Sequence, residues 1–290
     1  MKTKLILSAL LLTTLNLNAQ NLGFNMENKV PLILNPALTG INNYGVASIF
    51  HQNRMPSLSE NFTTSMLSYH TPIKKLHGGL GIYYQNNNGF YRTDNFGLSY
   101  SYQAIITRKI SLSIGTSIEV LHNQLKKNLG FGDTYYINIT PYQLNTNLGA
   151  LVFSKNAFIG ASLRNISTND PIYLITNVGY KFELLKNKQL QLTPVLSYTY
   201  QDQFQNIIFK LNTSYKWAHL SIGYGEGDDF LIAAGVDIRN FNINYGYNIT
   251  TSKLANTGSG SHEISLRFKL KKFSKEASNI ESGTYNFNLF

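Results

Sequence analysis

Cysteine is absent from this 290-residue chain, so the fold contains no disulfide bond. After its first residues, the chain also lacks any run of the roughly 18 apolar residues that a transmembrane helix requires. Charged residues make up only 14% of the sequence, and tryptophan occurs once. A chain with these absences must be stabilised either by a packed core or by a membrane.

The first residues differ from the rest and have the pattern of a secretory signal. Residues 1–4 are basic, Leu5 to Leu12 form an apolar run, and Ala19 supplies a small residue at the expected cleavage site. The apolar run is far too short to cross a bilayer. We therefore expect residues 1–19 to be a cleaved signal peptide and the mature, exported chain to begin near Gln20.

Aromatic and small polar residues are abundant in the remainder. The chain has 19 Tyr and 17 Phe, and its mean hydropathy of −0.15 is close to neutral. A transmembrane β-barrel has this composition, because its outer face is apolar and aromatic while its inner face is polar and mostly uncharged. A secreted β-sandwich could have it as well, so the periodicity must decide between them.

The periodicity is two residues and it recurs along the chain. In residues 110–120, Ile, Leu and Val alternate with Ser, Gly and Glu, and residues 96–103, 241–249 and 263–270 alternate in the same way. The polar face consists mainly of Ser, Asn, Gln and Gly, which suits a crowded lumen better than a water-exposed sandwich face. The pattern predicts an all-β fold, an outer-membrane β-barrel of about fourteen antiparallel strands over residues 43–270.

The predicted connections are of two kinds, short turns such as 154–155 and long loops such as 123–141. Short turns are periplasmic in outer-membrane barrels, and basic residues concentrate in or beside them here. The basic residues in question are Lys74, Lys75, Arg108, Lys109, Lys155, Lys216 and Arg239. They are either solvated turn residues near lipid headgroups or an electrostatic dock for an acidic periplasmic partner.

Residues with the spacing of a catalytic or metal site are scarce. The 6 histidines are scattered, and the chain has no nucleophile elbow and no phosphate-binding loop. Residues 226–229 could hold calcium weakly or form an ordinary hairpin turn. His262 and Glu263 could be lumenal polar residues or a paired acid and base. The sequence predicts no enzyme, no cofactor, no metal and no nucleic-acid partner.

The stretch from Leu34 to Gly40 has the chemistry of a turn. Proline fixes φ and biases the preceding residue away from helix, and the downstream glycine permits a positive φ. The stretch is therefore either a corner where an N-terminal segment joins the barrel or a loop between two ordinary strands.

The N-terminal region carries a pattern formed by Phe24, Pro31, Asn35, Pro36, Ala37 and Gly40. This pattern resembles the opening of the PorP/SprF family of type IX secretion and gliding-motility membrane proteins. Residues 51–56, 78–81 and 260–266 are similar to later family motifs. The resemblance implies an outer-membrane barrel that works with the type IX secretion or gliding machinery. It also implies a role in secreting or surface-anchoring adhesin-type cargo, with outer-membrane lipid around the barrel.

These observations predict the organisation of the chain. Residues 20–42 are expected to form a plug or gasket at the periplasmic mouth of the barrel, and residues 271–290 a periplasmic tail. The predicted function is a non-enzymatic barrel that binds translocon partners or cargo. Two alternatives remain: an outer-membrane transporter or porin for a small solute, and a secreted soluble β-protein.

Overall fold

The described residues include sixteen strand segments that join into one antiparallel sheet, and polar and apolar side chains alternate along most of them. The computed structural model describes residues 29–54, 56, 62–128, 134–138, 142–168, 170–185, 189–202, 204–226, 229–250 and 260–270. The strands are β1 (Val46–Arg54), β2 (Phe62–Ile73), β3 (Gly78–Asn88), β4 (Tyr91–Thr107), β5 (Ile110–Asn128), β6 (Thr134–Asn138), β7 (Gln143–Phe153), β8 (Ala157–Arg164), β9 (Tyr173–Tyr180), β10 (Phe182–Leu184), β11 (Leu190–Gln201), β12 (Phe204–Tyr215), β13 (Ala218–Gly225), β14 (Asp229–Ile238), β15 (Phe241–Thr250) and β16 (Ser261–Lys269).

In the described part of the chain, three short helical elements accompany the strands. The α-helix α1 (Pro31–Leu34) and a 3-10 turn (Pro36–Leu38) precede β1, and a second 3-10 turn (Lys74–Leu76) follows β2. Over the residues that the structure describes, no helix has the length and apolar character needed to span a membrane.

The sheet closes on itself because β1 pairs with both β2 and β16. The β1–β16 register runs from Val46 opposite Lys269 to Arg54 opposite Ser261. Strands β9 and β10 both pair with β11 and form one wall strand, while β6 pairs only with the far end of β5. The wall therefore has fourteen antiparallel strands, as the sequence predicted.

Most apolar side chains of the wall point outward and most polar ones point into the lumen, whereas a few apolar ones, such as Phe50 and Leu151, are buried inside the barrel. On β5, Ser113 is 0% exposed whereas its neighbour Ile114 is 53% exposed. Other buried lumenal side chains are Ser99, Ser117, Asn147, Thr199 and Ser265, and other exposed apolar ones are Leu67, Leu98, Ile159, Phe209 and Ile264. A barrel with this arrangement is stable where its surroundings are apolar, as in a membrane.

Exposed aromatic side chains lie near both ends of the strands. Near one end are Tyr84, Tyr91, Tyr200, Tyr224 and Phe230, and near the other are Tyr102, Tyr180, Tyr215, Trp217 and Phe241. Aromatic residues at both edges of an apolar band are typical of barrels that sit in a bilayer, because their rings suit the headgroup level.

The two ends of the barrel differ in their connections. One end, here called the short-turn rim, carries the tight turns 74–77, 108–109, 154–156, 216–217 and 239–240. The opposite end, the long-loop rim, carries the longer connections, including the β5–β6 hairpin, together with the two-residue connections 89–90 and 202–203. Apart from these two short connections, the predicted division into short turns and long loops is therefore present.

Several boundaries differ from the sequence-based expectation. β1 begins at Val46 rather than at residue 43, because residues 42–45 link it to a segment inside the barrel. Thr134–Asn138 is a strand within the predicted loop 123–141, since β5 continues to Asn128 and pairs with it beyond the wall. Its sequence, Thr-Tyr-Tyr-Ile-Asn, lacks the two-faced alternation, so periodicity could not identify it.

Candidate functional site: the N-terminal segment inside the barrel

Residues 29–42, called here the lumenal segment, lie inside the ring of strands and are buried throughout. Ala37 and Thr39 are both 0% exposed, and Asn35 is 2% exposed. Buried backbone N–H and C=O groups must find hydrogen-bond partners. The partners that the wall provides therefore determine how firmly it holds this segment.

The segment folds locally as its prolines and Asn35 dictate. Pro31 occupies the first turn of α1, where its missing N–H costs nothing, and the Asn35 N–H donates to Pro31 O at 3.0 Å. Asn35 then caps the 3-10 turn, since its Oδ1 accepts from the Ala37 N–H at 2.8 Å. Gly40 has a φ of +61°, which only glycine adopts without strain.

The side-chain amide of Asn35 also joins the segment to the wall. Its Nδ2 donates to Ala150 O and to Ala161 O, each at 3.1 Å, and these carbonyls belong to β7 and β8. A Cβ on Gly149 would collide with Asn35 Oδ1. Glycine at position 149 therefore leaves room for the Asn35 side chain. This one asparagine both caps a turn and bonds to two strands.

Serine hydroxyls of the wall satisfy the backbone carbonyls of the segment. Ser162 Oγ donates to Leu34 O at 2.8 Å, Ser113 Oγ to Ala37 O at 2.7 Å, and Ser101 Oγ to Thr39 O at 2.6 Å. These donors come from β8, β5 and β4. Three buried carbonyls, which would otherwise each cost free energy, are thus paired with three different strands.

Two further hydrogen bonds complete the attachment. The Gly40 N–H donates to His70 Nδ1 on β2 at 3.0 Å, and Thr39 Oγ1 lies 2.6 Å from Ser99 Oγ on β4. With the contacts above, the segment is bonded to β2, β4, β5, β7 and β8. Attachment to five strands favours one defined position over a range of positions.

Apolar contacts add to the hydrogen bonds. Leu34, Ala37, Leu38 and Ile41 pack against side chains of β7, β8, β9 and β11. Val30, Leu32 and Ile33 pack in a second cluster with Phe50, Met66 and Tyr83. These are the two buried apolar clusters of the described chain, and both include the segment.

A polar network occupies the lumen on the long-loop side of the segment. Glu119 accepts from Tyr83 Oη and from Asn145 Nδ2 (2.8 Å), and Arg164 Nη2 lies 3.6 Å from its Oε1. Glu263 accepts from Gln52 Nε2 at 2.8 Å. Each of these buried carboxylates is therefore paired with neutral donors or a cation, as a stable buried charge requires.

The structure brings together five of the six motif residues from the N-terminal region. Pro31, Asn35, Pro36, Ala37 and Gly40 all lie in the lumenal segment and are buried. Phe24 lies outside the described residues, as do the predicted signal peptide and the tail 271–290.

Sequence reasoning missed the wall residues that hold the segment. They are His70, Ser99, Ser101, Ser113, Gly115, Gly149 and Ser162. The available signal was the run of Gly and Ser on the polar faces of residues 97–101 and 111–117. Small side chains on adjacent strands leave space that a close-packed protein fills with another part of its chain.

The seven basic residues predicted to form a dock lie together on the short-turn rim. All are exposed, in the turns after β2, β4, β7, β12 and β14. Lys155 Nζ lies 3.8 Å from Glu183 Oε2, and Lys216 Nζ lies 5.2 Å from the centre of the Tyr215 ring. The lumenal segment joins β1 at this same rim, because Val46 pairs with Lys269 at the end of β16.

The structure also locates two other candidate sites from the sequence, the pair His262 and Glu263 and the acidic cluster 226–229. His262 Nδ1 lies 2.7 Å from Tyr245 Oη on the outer face, whereas Glu263 points into the lumen. They are neither both lumenal nor a paired acid and base, because adjacent strand residues face opposite sides. Of residues 226–229, Gly227 and Asp228 lie outside the described part of the chain. Within that part, no group of three potential metal ligands occurs.

Comparison with solved structures identifies the architecture. The chain is similar to the CymD monoaromatic hydrocarbon channel, with a TM-score of 0.53 and 10% identity over 88% of this chain and 96% of that one. It is also similar to Omp33 of Acinetobacter baumannii (TM-score 0.49, 7% identity, 80% and 99% covered) and to a KdgM porin (0.42, 13%, 76% and 98%). At such identities the likeness to CymD shows the fold alone, that of an outer-membrane barrel.

Comparison of sequences identifies the family. No curated protein matches the chain. The family model for the type IX secretion system membrane protein PorP/SprF matches residues 20–268, which include the lumenal segment and nearly all of the wall. With this match over most of its length and an outer-membrane barrel fold, the chain belongs to the PorP/SprF family of type IX secretion system membrane proteins.

Proposed function

We propose that this barrel is a non-enzymatic docking component of the type IX secretion or gliding machinery. In this proposal it binds translocon partners or adhesin-type cargo at its short-turn rim, which faces the periplasm. Its own lumenal segment acts as a plug or gasket that occupies the barrel.

The observation that carries the proposal is the attachment of the lumenal segment to five wall strands. A segment whose carbonyls accept from Ser101, Ser113 and Ser162 is costly to displace, because each lost bond leaves a buried polar group. A barrel built for free passage of a solute would gain nothing from this filling. A barrel that presents a rigid rim to partners gains a fixed shape.

The charge of the short-turn rim supports the docking part of the proposal. Seven exposed basic residues lie on one edge, and their combined field would attract an acidic partner surface and raise its association rate. Exposed charges of this kind are screened by salt, so an electrostatic dock weakens as ionic strength rises.

Crosslinked pull-down from native membranes tests the dock. We expect the quadruple variant Lys74→Gln, Lys75→Gln, Arg108→Gln and Lys109→Gln to recover less type IX partner protein than wild type at low salt. A control with the same change of charge neutralises Arg92 on β4, Lys126 and Lys127 on β5, and Lys253, which follows β15 in the sequence. Equal recovery from both variants would refute the dock.

A second candidate function is a channel for a small solute, and one observation favours it. The lumen-facing side chains Asn212, Ser214, His219 and Ser221 on β12 and β13 are only partly buried. Space beside the segment on that side could pass a solute. Planar-bilayer recording separates the two candidates: steady conductance of the wild type, with normal protein secretion after deletion of its gene, favours the channel.

A further inference from the structure

Three buried hydrogen-bond donors without partners lie on neighbouring lumenal positions of the wall, near the short-turn rim. They are Arg267 Nε on β16, Ser48 Oγ on β1 and His70 Nε2 on β2, and none of these atoms has a hydrogen-bond partner. The three side chains are only 8%, 2% and 0% exposed. Buried polar groups are normally paired, so three orphans in one place call for an explanation.

The strand register places these residues side by side. Arg267 and Ser48 are directly opposite each other across the β16–β1 pair, and both face the lumen. His70 lies opposite Val46, the next lumenal residue of β1, and is close enough to interact electrostatically with Arg267. The three groups therefore face one region of the lumen.

The tautomer of His70 makes its free atom a donor. His70 Nδ1 accepts from the Gly40 N–H, so in the neutral ring the proton sits on Nε2. The hydroxyl of Ser48 and the Nε–H of Arg267 can also donate. A water molecule accepts only two hydrogen bonds, whereas a carboxylate or phosphate group offers about four acceptor positions or more, so an oxyanion can satisfy all three donors.

The charge around these donors is positive. Lys29 of the lumenal segment is 6% exposed and interacts electrostatically with Arg267, Lys269 and Asp237. Asp237 is already engaged by His219 Nε2 at 3.0 Å and Lys269 Nζ at 3.6 Å. Among the described residues, neither Lys29 nor Arg267 forms an ion pair. Buried cations in this position are stabilised by a bound anion.

We propose that Arg267, Ser48, His70 and Lys29 form a binding site for a small oxyanion, a free carboxylate or phosphate compound. The guanidinium supplies the directional donor and Lys29 the second positive charge, so a dianion is bound more tightly than a monoanion. The site opens toward the short-turn rim past Lys269 and Asp237, whose side chains are 32% and 28% exposed. It does not depend on the docking role proposed above.

Calorimetric titration of the purified full-length barrel in detergent tests the site. The probes are succinate and inorganic phosphate, each with sodium chloride adjusted to hold the ionic strength constant. We expect saturable binding of one anion per barrel. Arg267→Gln and Lys29→Gln should each weaken it by about ten-fold or more, and Ser48→Ala by about three-fold.

Controls separate the site from general charge effects and from misfolding. Arg92→Gln removes the same charge on the long-loop rim and should leave the affinity unchanged. Heat-modifiable gel migration verifies that each variant is folded, and Ser48→Ala with Lys29→Gln carries the test if Arg267→Gln does not fold. Absence of saturable binding by the wild type, or equal affinity of the folded lumenal variants, would overturn the site. Binding of a hexaglutamate peptide without binding of succinate or phosphate would overturn its assignment to a small solute.

Discussion

The two sides of the lumenal wall differ although they are built on the same alternation. The lumenal faces of β4, β5, β7 and β8, here called the filled wall, carry Ser101 and Ser113, both 0% exposed. The lumenal faces of β12, β13 and β14, the open wall, carry His219 and Asp237, whose side chains are 17% and 28% exposed. The difference arises because the lumenal segment bonds to the filled wall.

The lumenal side chains of the two walls also meet different partners. The filled wall has Gly and Ser where the segment approaches, and these leave room for its backbone and donate to its carbonyls. The open wall has small residues as well, such as Ser221 and Gly223, but it also has charged residues that pair with one another, such as His219 with Asp237. The alternation decides which residues face the lumen, but the residue type at each lumenal position depends on the part of the protein that it contacts.

The largest change in stability and conductance is expected from deleting the part of the lumenal segment that bonds to the filled wall. Deleting residues 21–40 removes every residue of the segment that bonds to the filled wall, and it also removes Leu32, Ile33 and Leu34 from the apolar clusters. It should lower the free energy of unfolding by more than about 3 kcal/mol. Both walls should then be open, and steady single-channel conductance should appear. Urea unfolding followed by the fluorescence of Trp217, the single tryptophan, measures the first effect, and planar-bilayer recording the second.

If conductance and the urea midpoint both stay at wild-type values after this deletion, the segment is only a leader to the barrel. The contrast between the walls would then have no functional meaning.

Adding a methyl group to each wall sharpens the contrast. A Cβ at Gly115 would collide with the backbone of Pro36 and Ala37, so Gly115→Ala should destabilise the barrel by about 2 kcal/mol. Gly223→Ala on the open wall meets Lys210 Cγ and the carbonyl oxygen of Phe209, both at 2.9 Å, which is a smaller overlap than the closer approach of the Pro36 carbonyl carbon at Gly115. Urea titration should therefore show a clearly smaller loss for Gly223→Ala, and equal losses would argue against a rigidly held segment.

The next effect concerns Asn35, which bonds the segment to the filled wall. Asn35→Ala removes the cap of the 3-10 turn and leaves the carbonyls of Ala150 and Ala161 without this donor, a loss of about 2 kcal/mol. The matched change on the open wall is Asn212→Ala, whose partner Ser221 is only partly buried. We expect that variant to lose less than half as much in the same unfolding assay.

The smallest effect is expected from single hydroxyls. Ser101→Ala leaves Thr39 O without its donor in a buried site and should cost about 1 kcal/mol. Ser221→Ala removes a bond to Asn212 Oδ1 in a partly exposed site, where water can replace it, and should be near neutral. Indistinguishable urea midpoints for the two variants would mean that the hydrogen bonds to the segment contribute little.

Much of the wall could be predicted from the sequence, because each strand needs only local information. Alternate residues face opposite sides, so Ile114 and Ser113 are assigned to faces without knowledge of their partners. The same rule, applied to His262 and Glu263, would have excluded their pairing. β6 was missed because it lies beyond the wall, where neither face is selected for lipid or lumen.

The lumenal contacts could not be predicted in this way. Asn35 bonds Ala150 and Ala161, more than a hundred residues further along the chain, and no periodicity links such positions. The turn chemistry of Asn35, Pro36 and Gly40 was evident from the sequence, but the strand carbonyls and serines that it meets were not.

By itself, the sequence determined the fold class, the strand number, the outward apolar face and the family of this protein. These follow from local periodicity and from motifs, which act over a few residues. Only the tertiary structure decided which lumenal residues the segment touches and which buried donors stay unpaired. Closing the ring brings β16 beside β1, so Arg267 and Ser48 meet only in the folded barrel.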